Sequence, residues 1–114
     1  MLKVRAELLG NVAILHVDGN IVIGAEIEGL ERSVLSQSEV STVVLDLMRV
    51  SRIDARGVGL LLELREQLQS KGVEFRLMNV TALVQQILKI SCLDSVFEIS
   101  TEEVLFQDSL EPVT

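Results

Sequence analysis

Two carboxylates, Asp46 and Asp54, are the residues whose type and spacing come nearest to an acid pair of the kind that works in hydrolases or holds magnesium. Carboxylates at such positions more often cap or hold loops, and that reading is favoured here. His16 is the only histidine and lies between Leu15 and Val17, which makes it a structural strand residue before it is a general base. Pairing it with Cys92 would give a nucleophile and a base, but nothing around Cys92 supplies the electropositive surroundings that lower a thiol pKa. Cys92 is therefore expected to act as a small hydrophobe. Structural zinc needs about four Cys or His ligands and the chain has one of each, so zinc is set aside. Gly57-Val58-Gly59 is not followed by Gly-Lys-Ser/Thr and does not match a dinucleotide fingerprint. Close packing of a helix against a sheet explains these glycines better than phosphate binding.

The elements that must position these residues follow from periodicity. Leu2 to Leu9 alternates apolar and polar, Gly10-Asn11 interrupts, and Val12 to Val17 resumes, which predicts a hairpin. Asp18-Gly19-Asn20 ends the second strand. From Gly24 to about Gln37, Ala25, Ile27, Leu30, Val34 and Leu35 recur at helical spacing. Thr42 to Met48 is a nearly continuous apolar run, expected to be covered on both faces in the middle of the sheet. Asp54-Ala55-Arg56-Gly57 leads into a helix running from Val58 to Lys71, with Gly72 as its stop. Glu74 to Val80 reads as a strand, Thr81 to Ile90 as a helix, Phe97 to Ser100 as a short strand and Glu102 to Gln107 as a weaker terminal helix. The fold class is α/β: a mixed sheet, opened by a hairpin and continued by alternating strands and helices that pack on it.

Composition bounds the function. The 114 residues suit one domain, placed at residues 2–108, with 109–114 as a frayed tail around the only proline, Pro112. Aromatics make up 3% of the chain, with no Trp or Tyr, so stacking platforms for bases are lacking. The net charge of −7, with ten scattered Lys and Arg, opposes binding to nucleic acid. Met1 to Glu7 lacks the apolar segment of a signal peptide, and no run approaches the ~18 residues that span a bilayer. A soluble cytoplasmic protein without direct membrane insertion, and without a cofactor, is expected.

Val43-Val44-Leu45-Asp46-Leu47, followed by Ile53-Asp54-Ala55-Arg56-Gly57-Val58-Gly59-Leu60-Leu61-Leu62, resembles the signature of the STAS family, the domain shared by sulfate transporters and anti-sigma factor antagonists. In that family a buried strand with a terminal Asp leads to Ile-Asp-Ser-Ser-Gly and a Leu-rich helix. Val17-Asp18-Gly19 with Ile21, Ala25, Ile27 and Leu30 is similar to the first strand-to-helix element, and Phe75 to Val80 to the fourth strand. Ile87 to Phe97 is similar to the late pattern of apolar helix, Gly-Leu and Phe. The resemblance implies a non-enzymatic domain that docks onto another protein.

Two positions depart from the family pattern. Regulated members accept a phosphoryl group on the second Ser of the signature, where this chain has Arg56, with Ala55 at the first. No phosphorylation is expected at Arg56; Ser51, just upstream, is a weak substitute. Cys92 stands where the family usually has Gly, so a helix end without a left-handed residue is expected there. If Asp54 caps the following helix, it favours the positive end of the helix dipole, whereas Arg56 opposes it. Arg56 then either faces an acidic group on a partner, pairs locally with Asp54 or Asp46, or is simply solvated.

From Val58 onward the apolar residues cover about half the helix circumference, wider than the ~100° stripe of a surface helix, so part of that surface is expected to stay exposed. Asp54, Ala55, Arg56, Gly57, Val58 and Leu60 make up the expected partner-binding patch, while Leu61, Leu64 and Leu68 fall in the core. The leading expectation is an anti-sigma factor antagonist-like protein that binds an anti-sigma factor, often a kinase-like ATPase, and releases a sigma factor. The alternatives are a STAS-like accessory subunit of a phospholipid ABC transporter, whose partner is a transporter ATPase, and a small-molecule sensor or enzyme using Asp46 and Asp54.

Overall fold

The protein is described from a computed structural model over residues 2–24 and 27–100. The opening hairpin joins β1 (Lys3–Leu9) to β2 (Val12–Asp18), with Leu9 opposite Val12 across the two-residue turn. Gly10 takes the positive φ of 64° at the first central position, the pattern of a type II′ turn whose twist suits the flanking strands.

Three βαβ units follow. α1 (Ile27–Leu35) leads to β3 (Thr42–Arg49), α2 (Ala55–Ser70) to β4 (Glu74–Met78), and α3 (Ala82–Ile90) to β5 (Glu98–Ser100). β2 through β5 run parallel, and the spatial order β1-β2-β3-β4-β5 is the sequence order. Each crossover steps in the same direction, and right-handed crossovers then place all three helices on one face. The central position expected for residues 42–48 is the position of β3. The terminal helix expected at Glu102–Gln107 and the tail 109–114 lie outside the described residues.

The main core lies between this helical layer and the sheet: Ala13, Leu15 and Val17 of β2, Val43, Leu45 and Leu47 of β3, and Phe75 and Leu77 of β4 meet Leu30, Val34, Leu61, Leu64, Val84 and Leu88. On the opposite face Val12, Ile14, Val44 and Met78 form a smaller buried cluster, so β3 is covered on both sides. Farther along that face stand His16 and Asp46, level with each other in the parallel register.

Helix ends follow local chemistry. α2 closes with the Gly72 amide on the Gln69 carbonyl and the Val73 amide on the Leu68 carbonyl, a Schellman motif in which Gly72 has φ 75°. α3 closes in the same way, with Cys92 bonded to Lys89 and Leu93 to Leu88, and Cys92 has φ 59°. This corrects two expectations: a left-handed residue does end α3, and Cys92 is exposed rather than a small core hydrophobe. The bonding pattern demands the left-handed conformation whichever residue fills it.

Candidate functional site

The carboxyl ends of β2, β3 and β4 deliver three loops to one edge of the domain, where open parallel sheets generally present their sites. The loop after β2 and the loop after β3 are stitched together by backbone bonds: Gly19 to Arg49, Ile21 to Arg52, and Asp54 to Ile21, each amide donating to the named carbonyl. Asn20 Oδ1 accepts from Ser51 Oγ at 3.0 Å and from the Arg52 amide at 3.1 Å. The third loop joins through Thr81 Oγ1, which donates to the Val50 carbonyl at 3.1 Å.

Asp54 caps α2, accepting from the Gly57 amide at 2.9 Å through one carboxylate oxygen and from the Ile23 amide at 2.8 Å through the other. The Ile23 bond, followed by the Gly57 bond, holds its pKa below the usual carboxylate value. Gly57 is required by a close approach, since a Cβ there would overlap the Ile21 carbonyl and the Ile53 side chain. The helix start, the carboxylate and the loop after β2 therefore form one fixed platform.

Ala55 and Arg56 occupy the exposed first turn on this platform. Arg56 makes no ion pair among the described residues, so local pairing with Asp54 or Asp46 is not what holds it. It lies at the rim of an open groove of about 310 Å³ between α1 and α2, together with Ile27, Glu28, Glu31, Gly59, Leu60 and Glu63. Ile23, a position the sequence reading passed over, is 72% exposed although its own amide is tied to Asp54.

Val58 and Leu60 correct the expected patch, because both are buried, at 7% and 6% exposure. α2 occupies the middle of the helical layer and α1 packs along its flank, so its apolar arc is wide because it has a helical neighbour as well as a sheet to cover. Leu60 reaches the groove only as part of its wall. Gly57 is also buried, which leaves Asp54, Ala55 and Arg56 as the accessible members of the six.

The two carboxylates considered for acid–base work are not brought together. Asp46 accepts from His16 Nδ1 at 2.7 Å, Asn79 Nδ2 at 3.0 Å and the Met48 amide at 3.1 Å. Burial pushes its pKa up, but these bonds outweigh it and the net shift is down. His16 Nε2 meets Glu7 Oε1 at 2.7 Å, so both ring nitrogens face carboxylates and neither is free to activate Cys92. Burial alone would lower the imidazole pKa; the bonds to Glu7 and then Asp46 prevail and raise it above its ordinary 6.5. Ser51 is exposed, with its hydroxyl donated to Asn20.

A capped helix start, with a Gly forced by the β2 loop and a Leu-rich helix behind it, is the arrangement that the resemblance of Ile53 to Leu62 leads one to expect. The sequence matches the STAS domain over residues 3–105. This chain belongs to the STAS family. Its fold is similar to that of the anti-sigma factor antagonist SpoIIAA in its unphosphorylated form, with a TM-score of 0.76 and 21% identity over 98% of this chain and 100% of that one. An anti-sigma factor antagonist from Mycobacterium paratuberculosis aligns with a TM-score of 0.80 and 18% identity, covering 97% of this chain and 96% of the other. A sulfate transporter family protein from Wolinella succinogenes aligns with a TM-score of 0.71 and 20% identity, covering 90% and 88%. Within this STAS domain no described helix is long and apolar enough to cross a membrane.

Proposed function

We propose that this STAS domain is a non-catalytic docking module of the anti-sigma factor antagonist kind, which binds an anti-sigma factor through the platform at the start of α2 and so releases a sigma factor. The observation that carries the reading is Arg56: an exposed cation without an ion pair among the described residues, fixed at the positive end of a helix where its charge is disfavoured. A partner carboxylate would supply the ion pair that Arg56 lacks among the described residues. A fitting partner surface offers a carboxylate to Arg56, an apolar recess to Ile23 and basic side chains to Glu28, Glu31 and Glu63 along the groove. Regulation by a phosphoryl group at position 56 has no acceptor, since arginine carries no hydroxyl.

The likeness to a sulfate transporter family protein favours a second reading, an accessory subunit of a transporter such as a phospholipid ABC system, in which the same platform meets a transporter ATPase. Affinity capture from the native cell, read by mass spectrometry, separates the two. An anti-sigma factor recovered with the wild type, and lost with Arg56→Asp, supports the first reading. A transporter ATPase recovered in its place supports the second, and neither being recovered overturns both.

A further inference from the structure

β1 is an edge strand of seven residues, and Arg5, Ala6, Glu7 and Leu8 are all exposed, with Leu8 at 66%. Natural proteins usually blunt such an edge, because its unpaired N–H and C=O groups are a template for another strand. A two-residue hairpin turn is closed by a hydrogen-bonded pair, here Leu9 with Val12, and such pairs alternate along an antiparallel ladder. Lys3, Arg5, Glu7 and Leu9 therefore bond inward to β2, and Val4, Ala6 and Leu8 turn their backbone groups to the outer edge, which no other strand among the described residues pairs with.

From this arrangement we infer that β1 pairs antiparallel with β1 of a second copy of this chain, in the register centred on Ala6. Only registers centred on a residue bring outward-facing groups of both strands together. Centring on Arg5 sets that cation against itself, and centring on Glu7 sets two carboxylates together. Centring on Ala6 instead sets Arg5 opposite Glu7 of the second copy and Glu7 opposite its Arg5. These are non-hydrogen-bonded positions, where side chains approach most closely. On the other face the same register sets Val4 opposite Leu8, twice, with Ala6 against Ala6 between them. Arg5 has no ion pair among the described residues, and Glu7 gives one carboxylate oxygen to His16 while its second remains to receive the new arginine. The charges that blunt most edges are here arranged to complement themselves about a two-fold axis. The short contact gives a concentration-dependent rather than a permanent dimer.

Sedimentation velocity of the full chain over a wide concentration range tests this. The wild type is expected to self-associate, and Arg5→Glu to weaken dimerisation at least tenfold. Glu7→Arg does the same, and an equimolar mixture of the two variants recovers a heterodimer, since each then supplies the charge the other lacks. Arg5→Glu alters an exposed side chain without a described partner, so it decides the matter even if Glu7→Arg is unstable for want of its His16 contact. A wild type that stays monomeric at every concentration, an Arg5→Glu protein that dimerises like the wild type, or two impaired variants that fail to recover on mixing would each overturn the inference.

Discussion

A carboxylate on each ring nitrogen favours the imidazolium form of a histidine, and His16 has this arrangement between Glu7 and Asp46. Because its pKa is higher in the folded chain than in the unfolded one, its contribution to stability is complete below about pH 6.5 and is lost as the pH rises through the folded value. The melting temperature is therefore expected to decline on going from pH 6 to pH 8, and Glu7→Gln to flatten that decline. A proton NMR titration of the His16 ring should give a midpoint above 6.5 that moves down in Glu7→Gln; a wild-type midpoint below 6.5 would show that burial prevails. This cluster was partly legible: counting back from the Gly10-Asn11 turn places Glu7 on the face of His16. Asp46 was not, because its alignment with His16 depends on the parallel register of β2 and β3, which no local pattern encodes. Ile23 was missed for a similar reason, since its fixed exposure comes from a bond to Asp54, 31 positions along the chain.

At the scale of elements, two positions carry opposite consequences for glycine. Gly57 has no room for a side chain, so Gly57→Ala is expected to cost about 1–3 kcal/mol through overpacking against Ile21 and Ile53. Chemical denaturation would read this directly, and a variant as stable as the wild type would show that the β2 loop yields. Cys92 fills the left-handed position at the end of α3, where a β-carbon is disfavoured. Cys92→Gly is therefore expected to stabilise by about 0.5–1 kcal/mol, against the usual sign for a change to glycine. A fall in stability would place the cost elsewhere. The hairpin, the three crossovers and the Gly72 stop of α2 were legible, since turn residues and periodicity carry them. The mistaken helix end at Cys92 came from reading residue preference where a hydrogen-bond motif, shared with Gly72, sets the geometry.

For the molecule as a whole, sequential strand order with crossovers of one hand gathers the helices on one face and puts α2 in the middle of their layer. This explains why Val58 and Leu60 are core although the width of the apolar arc suggested a sticky surface. Periodicity reports how much of a helix is apolar, but only the neighbours decide what covers it. On the proposed reading, docking then falls to the exposed platform of Ile23, Ala55 and Arg56 beside the acidic groove. The most direct measurement is a binding titration of the recovered partner against wild type and Arg56→Ser, with thermal melts in parallel. The account expects affinity to fall at least tenfold while the melting temperature holds or rises slightly, because the helix sheds a cation that its dipole disfavours by about 0.3–1 kcal/mol. Equal affinity for the two proteins would contradict it.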